Sequence, residues 1–265
     1  MSAEKVILMQ PLVSIITINL NNAEGLKATV NSVISQEFRD FELIIIDGAS
    51  VDGSRDFIER HAEHFSHWIS EADQGIYYAQ NKGIEAAKGQ YLLFLNSGDC
   101  LNGHEALGDF VNAPEFKGDI IYGDYKFQDG GKQFPDVLSP LFFFKSTLPH
   151  QSTLFKKSVF EQMGGYDTSY RIAADRAHYV KCYLSQKFEF SHVPQALSLF
   201  DLTGVSNDPA FSDKNKEEDQ RLLKEQFRIY YSDYLHLMEL KSSLSVALSK
   251  TPKGILKRLY RQVFH

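Results

Sequence analysis

The chain has 265 residues, 43% hydrophobic and 23% charged, with a net charge of −6 at pH 7. That balance belongs to an ordinary globular protein of one large domain, or one domain with an appendage, and the acidic excess argues against nucleic acid, which calls for a basic surface. Cys100 and Cys182 form neither a zinc spacing nor a disulfide framework, the first residues lack the basic-then-apolar pattern of a signal peptide, and no stretch approaches the roughly 18 apolar residues of a membrane span; the expected location is the cytoplasm or the inner face of its membrane.

Val13 to Ile18, rich in β-branched residues, predicts a first strand, with Asn19 to Asn22 as its carboxyl-end loop. Leu26, Val30, Val33 and Ile34 share a face and predict a helix over 24–36. The apolar run Leu43-Ile44-Ile45-Ile46 predicts a second strand over 41–46, covered on both sides, and Asp47 stands at its end. A turn at 50–54 precedes a helix over 55–64. A short strand follows at 67–70, a helix at 77–87 stopped by Gly89, and a fourth strand at 91–95. Strands and helices that alternate at this spacing suit βαβ units. No GxGxxG follows the leading strand, so the dinucleotide signature is missing.

Beyond Cys100 the pattern is more mixed. A short helix is expected at 105–111, a strand at 119–124, a hairpin at 127–134, a short strand at 154–155 and a helix at 157–163. A helix over 171–185 and a strand over 188–193 complete this half. No linker separates the halves, so residues 1–210 read as one catalytic domain, with a donor half near 11–100 and an acceptor half near 101–210. Residues 211–265 read as a C-terminal helical extension, with a long helix over 217–238. Its last part holds six Lys or Arg residues and no Asp or Glu from Leu240 onward. Such a basic tail can lie on an anionic membrane surface, or pack on its own domain with its charges solvated.

Two acids at strand tips, Asp47 and Asp99, suggest a charged, phosphorylated substrate, because open α/β sheets hold ligands at the carboxyl ends of their strands. The two strands are expected to be neighbours. One carboxylate with waters and a diphosphate suffices for Mg²⁺ or Mn²⁺, while either acid alone could merely cap a turn. Asp73 and Lys82 bracket a helix start, where Lys82 could meet a phosphate or simply face solvent. His150 follows a proline in a loop, where it could act as acid, base or ligand. Asp175 could be a general base if it meets a cleft, or a surface acid beside Arg176. No serine sits in a GxSxG elbow, which argues against a Ser-His-Asp hydrolase.

The ordered set Val13-Ser14-Ile15-Ile16-Thr17, Ile46-Asp47-Gly48-Ala49-Ser50-Val51-Asp52-Gly53-Ser54, Asp73-Gln74-Gly75-Ile76-Tyr77, Asn81-Lys82-Gly83, Phe94-Leu95-Asn96-Ser97-Gly98-Asp99, Gly164-Gly165-Tyr166-Asp167 and Ala173-Ala174-Asp175 resembles the inverting family 2 glycosyltransferases of the bacterial capsule, exopolysaccharide and O-antigen type. The resemblance covers residues 11–206. It implies an α/β GT-A fold with a mixed central sheet, and transfer of a sugar from a nucleoside diphosphate, typically a UDP-sugar, to a hydroxyl of a saccharide or lipid-linked saccharide. It implies that Thr17 and Asn19 line the nucleoside pocket, that Asp47 binds the base, and that Asp52 supports that loop. Asp73, Lys82, Asn96, Ser97 and Gly98 would lie near the donor, with Asn96 adding a neutral oxygen ligand for the metal or binding the sugar. Asp99 would hold Mg²⁺ or Mn²⁺, His150 and Gln151 would sit beside the acceptor or diphosphate, and Asp175 would be the base. The stretch 201–206 resembles a loop that closes over the donor. The chain departs from the family pattern at Asn96, Gly48 and Ala174, where acids are usual. The thinned metal motif keeps an alternative open, a degenerate non-catalytic partner in a polysaccharide synthase complex. A nucleotidyltransferase is a further rival, although the loop over 19–25 carries no basic residue.

Overall fold

The computed structural model describes residues 10–200 and 212–249. The basic tail helix over 255–264 and the closing loop over 201–206 lie outside the described residues. The chain divides into two compact units, Met1–Asp219 and Gln220–His265.

In the larger unit the first strands are β1 (Val13–Asn19), β2 (Phe41–Asp47), β3 (His67–Ser70) and β4 (Tyr91–Phe94). Between them run α1 (Ala23–Ile34), α2 (Ser54–Arg60) and α3 (Ile76–Ala86). The strands pair in parallel in the order β3-β2-β1-β4. Asp47 and the turn after β4 therefore flank β1 on opposite sides, and their strands are not neighbours as the sequence suggested. The chain builds outward to β3 and then crosses back to the far side of β1. The carboxyl ends of β1 and β4 are thus a point of reversed strand order, which is where such sheets bind ligands.

The second half adds β5 (Cys100–Leu101), α4 (Ala106–Val111), β6 (Ile120–Phe127), β7 (Gly130–Lys132), α5 (Pro140–Lys145), β8 (Thr153–Lys156), α6 (Lys157–Met163), α7 (Ala174–Ser185) and β9 (Phe190–Leu199). β8 runs antiparallel between β4 and β6, and β6 pairs in parallel with β9. β5 and α5 were not legible in the sequence. Two residues make too short a pattern for β5, and α5 is an apolar Leu-Phe-Phe-Phe run that starts from a Ser139 cap.

The central strands read as unbroken apolar runs because both faces are covered. Ile15, Leu43, Ile45 and Leu93 pack in one core with Leu26, Val30, Phe57 and Ile58 from the helices. On the other face the glycine at position 83 in α3 lets the helix lie on Ile16, whose Cγ2 would stand 2.3 Å from an added Cβ. Gly89 is tighter against the main chain, since a Cβ there would lie 2.5 Å from the Ser14 amide nitrogen. Backbone cannot rotate away as a side chain can. Gly89→Ala is expected to lower unfolding free energy by about 1–3 kcal/mol, measured by urea denaturation, with little change in the site at the opposite strand ends.

α8 (Ser212–Phe227) starts in the larger unit and ends in the smaller. In the smaller unit a 3-10 turn at Arg228–Tyr230 separates it from α9 (Tyr231–Ser249). The continuous helix expected over 217–238 is thus broken, and Arg228 at the break has a positive φ of 46°. Among the described residues no helix is long and apolar enough to cross a membrane.

Candidate active site

β1, β2 and β3 end in Asn19, Asp47 and Ser70, which form one cluster. Asp47 is fully buried. Its Oδ1 accepts from Asn19 Nδ2 at 2.8 Å and Ser50 Oγ at 2.6 Å. Its Oδ2 accepts from the Ser50 amide at 3.0 Å and Ser70 Oγ at 2.6 Å. Four donors fill what a carboxylate offers. Both Asp47 oxygens are thus engaged, and the carboxylate ties the ends of β1, β2 and β3 to the loop at Ser50. Burial pushes the Asp47 carboxyl up, but the hydrogen bonds from Ser50, Ser70 and Asn19 outweigh it and hold the group below the usual range. Thr17, one pleat back, is buried, and its Oγ1 has no partner among the described residues.

A depressed carboxyl adds stability that is full above the unfolded value of about 4 and is lost as pH falls through the folded value. Thermal melts are therefore expected to show Tm falling below about pH 4, with a smaller acid-induced drop in Asp47→Asn. An equal drop in both proteins would remove Asp47 from the account.

Asp52 holds the neighbouring loop. Its Oδ2 accepts from the Ala23 amide at 2.7 Å, and its Oδ1 from Ser54 Oγ at 2.6 Å and the Ser54 amide at 3.1 Å. It thereby ties the starts of α1 and α2 together. Lys82 is engaged by Asp73 and, at 2.7 Å, by Glu71. The hydrogen bond that Lys82 donates to Asp73, then that to Glu71, raises its pKa. Asp73 and Lys82 thus sit together as an ion pair.

The second cluster surrounds the turn after β4. Gly98 adopts a φ of 109°, and the Asp99 amide closes the turn on the Asn96 carbonyl at 3.0 Å. Thr29 of α1 pins it, donating to the Asp99 carbonyl at 2.7 Å and accepting from the Gly98 amide at 2.9 Å. Asn22 donates to the Ser97 carbonyl at 3.1 Å. The pinned turn aims Asp99 at His150, which a short 3-10 turn after Pro149 presents. His150 Nε2 lies 3.7 Å from Asp99 Oδ2, and its Nδ1 lies 3.6 Å from Asp175 Oδ2. These are ion-pair rather than hydrogen-bond separations. Asn96 Nδ2 is 3.2 Å from His150 Nε2, and Gln80 Nε2 is 3.3 Å from Asn96 Oδ1. Burial lowers the pKa of the His150 imidazole, but Asp175 and Asp99 on its two sides overcome this and raise it to about 9.

Asp175 occupies the first turn of α7. Burial raises its carboxyl, while His150, the Arg176 amide and the Tyr77 hydroxyl outweigh that and hold it below the usual range. Its Oδ1 accepts from the Arg176 amide at 2.7 Å and lies 3.0 Å from Tyr77 Oη. Oδ2 remains turned toward His150. Asp99, His150 and Asp175 therefore form one row, with Asn96 beside it.

Among the described residues no group of three or more His, Cys, Asp and Glu forms a self-sufficient cation cage. The hard oxygen of Asp99, with Asn96 beside it, still fits a divalent cation whose other positions go to water and substrate phosphate. Ser70, Gln80 and the Tyr77 hydroxyl were missed as site groups. Tyr77 and Gln80 are both buried on α3 at i, i+3 spacing, and two polar groups on a helix's buried face are the signal that could have found them.

The model of the family described as "Glycosyl transferase family 2" matches residues 14–171. An uncharacterized glycosyltransferase of Mycobacterium tuberculosis is 35% identical over 205 residues, covering 74% of this chain and 78% of the relative. A PGL/p-HBAD biosynthesis glycosyltransferase of Mycobacterium bovis is 32% identical over 210 residues, covering 74% of this chain and 80% of the relative. Among solved structures, Staphylococcus aureus TarS is similar with a TM-score of 0.65 at 17% identity. The match covers 91% of this chain but only 44% of the TarS chain. A shorter piece of TarS, solved in complex with UDP-GlcNAc, matches with a TM-score of 0.63 at 16% identity, covering 91% of this chain and 74% of that one.

Proposed function

This chain belongs to glycosyl transferase family 2, and from that footing we propose that it moves a sugar from a nucleoside diphosphate, UDP in the first instance, to a saccharide hydroxyl with inversion at the anomeric carbon. The observation that carries the reading is the row Asp99, His150, Asp175 at the switch point of the sheet. The two carboxylates on either side of His150 support a diphosphate-binding role for Asp99 and a base role for Asp175. The UDP-GlcNAc complex of TarS supports a UDP-sugar donor. The relative named for PGL/p-HBAD biosynthesis supports an acceptor of the cell-envelope kind, and the basic tail favours one carried on lipid.

Asp175 takes the proton of the acceptor hydroxyl as that oxygen bonds to the anomeric carbon. The bond from that carbon to the diphosphate breaks, and the nucleoside diphosphate leaves with the electron pair. No enzyme nucleophile is needed. Asp99, with Asn96 beside it, would hold Mg²⁺ or Mn²⁺, which when bound neutralises charge on the departing diphosphate. The floor built by Asn19, Asp47, Ser50 and Ser70 shapes the nucleoside end, and Asp52 holds its loop. The Asp73–Lys82 pair stiffens the start of α3.

A donor screen read out by released diphosphate, with Mn²⁺ and a lipid-linked saccharide mimic, tests the reading. Turnover of a UDP-sugar with an inverted product is expected. A retained anomeric configuration overturns the mechanism, and binding of neither UDP nor Mn²⁺ in calorimetry overturns the donor site.

A further inference from the structure

We propose that Glu218, near the start of α8, is a positioning residue that holds the base Asp175 in its working place; the inference rests on the reading of Asp175 given above. Glu218 is only 4% exposed. Its Oε1 accepts from the Arg171 amide at 2.8 Å, and its Oε2 accepts from the Ile172 amide at 2.9 Å and the Ala173 amide at 3.1 Å. One carboxylate thus gathers three successive amides from a segment more than forty residues earlier in the chain.

Those amides are the ones that lead into α7. The sequence predicts a helix from Arg171, yet α7 begins at Ala174. A helix through 171–173 would point these N–H groups along its axis, and Glu218 instead holds them in an open turn. The residue before the helix, Ala173, has no side chain that could cap it. Glu218 takes the Ala173 amide and the two before it, and so places an acid beside the helix start, where the helix dipole favours one. The turn is held from its other side as well, because the Tyr77 hydroxyl donates to the Ile172 carbonyl and also reaches Asp175. Next along α8, Asp219 pairs with Arg176 Nη1 at 2.5 Å, and Arg176 Nη2 donates to the Phe143 and Phe144 carbonyls at 3.2 Å each. Asp175 is therefore clamped before and after by two consecutive acids of α8.

This gives the start of the C-terminal helix a task in the chemistry. The donor end is built on strand tips and on the Thr29-pinned turn, while among the described residues the Glu218 carboxylate hydrogen-bonds only to the 171–173 amides. The base alone depends on it. Displacement of a reacting group by about 1 Å can cost 10²-fold in rate, so loosening the clamp should act on kcat and spare the donor.

The test is Glu218→Gln, which keeps the size but turns one acceptor oxygen into a donor facing an amide N–H. Glu218→Asp is made beside it, and keeps both oxygens one methylene further back. With UDP-sugar and Mn²⁺, Glu218→Gln is expected to lose about 10–100-fold in kcat, with Glu218→Asp recovering part of that loss. Donor KM and calorimetric UDP affinity should stay within about twofold of wild type. Gly89→Ala, strained at the other end of the sheet, serves as the control for general destabilisation. Should Glu218→Gln fail to fold, the kcat-against-KM split in Glu218→Asp decides. Wild-type kcat in the folded Glu218 variants overturns the proposal. So does an equal loss of donor affinity, or the same kcat loss in Gly89→Ala at a matched fall in Tm. Inactivity of Asp175→Asn beside fully active Glu218 variants sinks the positioning role alone, whereas normal turnover of Asp175→Asn sinks the base itself.

Discussion

Asp175→Asn should lower kcat by about 10²–10⁴-fold, the usual worth of a positioned general base, while UDP still binds. The substitution is nearly isosteric. An amide oxygen at the Oδ1 position still accepts from the Arg176 amide and meets the Tyr77 hydroxyl, so the first turn of α7 keeps its shape. What disappears is the proton acceptor. Because the carboxyl is held below its usual range by His150, the Arg176 amide and Tyr77 against the effect of burial, it is ionised across the neutral range. The wild-type rate should therefore lose nothing to its protonation until the pH falls below about 4. Diphosphate release at saturating donor gives kcat, and calorimetry with UDP and Mn²⁺ gives binding. Turnover close to wild type would show that another group takes the proton, and a parallel loss of UDP binding would show that Asp175 belongs to the donor site.

Much of this architecture was legible because its signals are local. The apolar runs at 13–18, 41–46 and 91–95 match β1, β2 and β4 within a residue or two at each end, since a strand covered on both faces has no choice but to be apolar throughout. The acids at their tips could be read for the same reason: a polar residue that ends such a run stands at the edge of the sheet. What could not be read depends on pairing at long range. The order β3-β2-β1-β4, which sets Asp47 and Asp99 on either side of β1, leaves no mark in either strand. The hydrogen bonding of Asp47 left no mark either, because its partners Asn19 and Ser70 come from two other strands. Their donors turn a carboxylate that looks available into one that is fully engaged. The start of α7 was misplaced by three residues through Glu218, whose position in an otherwise surface-like charged helix gives no hint that it is buried. The family resemblance reached Asp99, His150 and Asp175, but only the folded chain sets the three in one row.

Asp99→Asn is expected to cut Mn²⁺-dependent donor affinity by about 10²-fold or more, because it removes the one carboxylate that the turn after β4 offers to a cation. Asn96, three residues earlier, brings no charge, and the neighbouring acid Asp175 lies across His150 with its Oδ1 already taken by the Arg176 amide. Neither can replace Asp99. The turn should survive, since Thr29 holds it through the backbone of Gly98 and Asp99 rather than through the carboxylate. UDP affinity measured without metal should then change little, so that the loss appears only when Mn²⁺ is present. Asn96→Asp should act in the opposite direction. It adds a second acid on the same turn and still accepts from Gln80 Nε2, so Mn²⁺ should be held more tightly and needed at lower concentration. Donor titrations at several Mn²⁺ concentrations read both variants. If Asp99→Asn keeps the wild-type dependence on Mn²⁺, the cation is not held at this turn. If Asn96→Asp leaves that dependence where it was, the single carboxylate does not limit metal affinity.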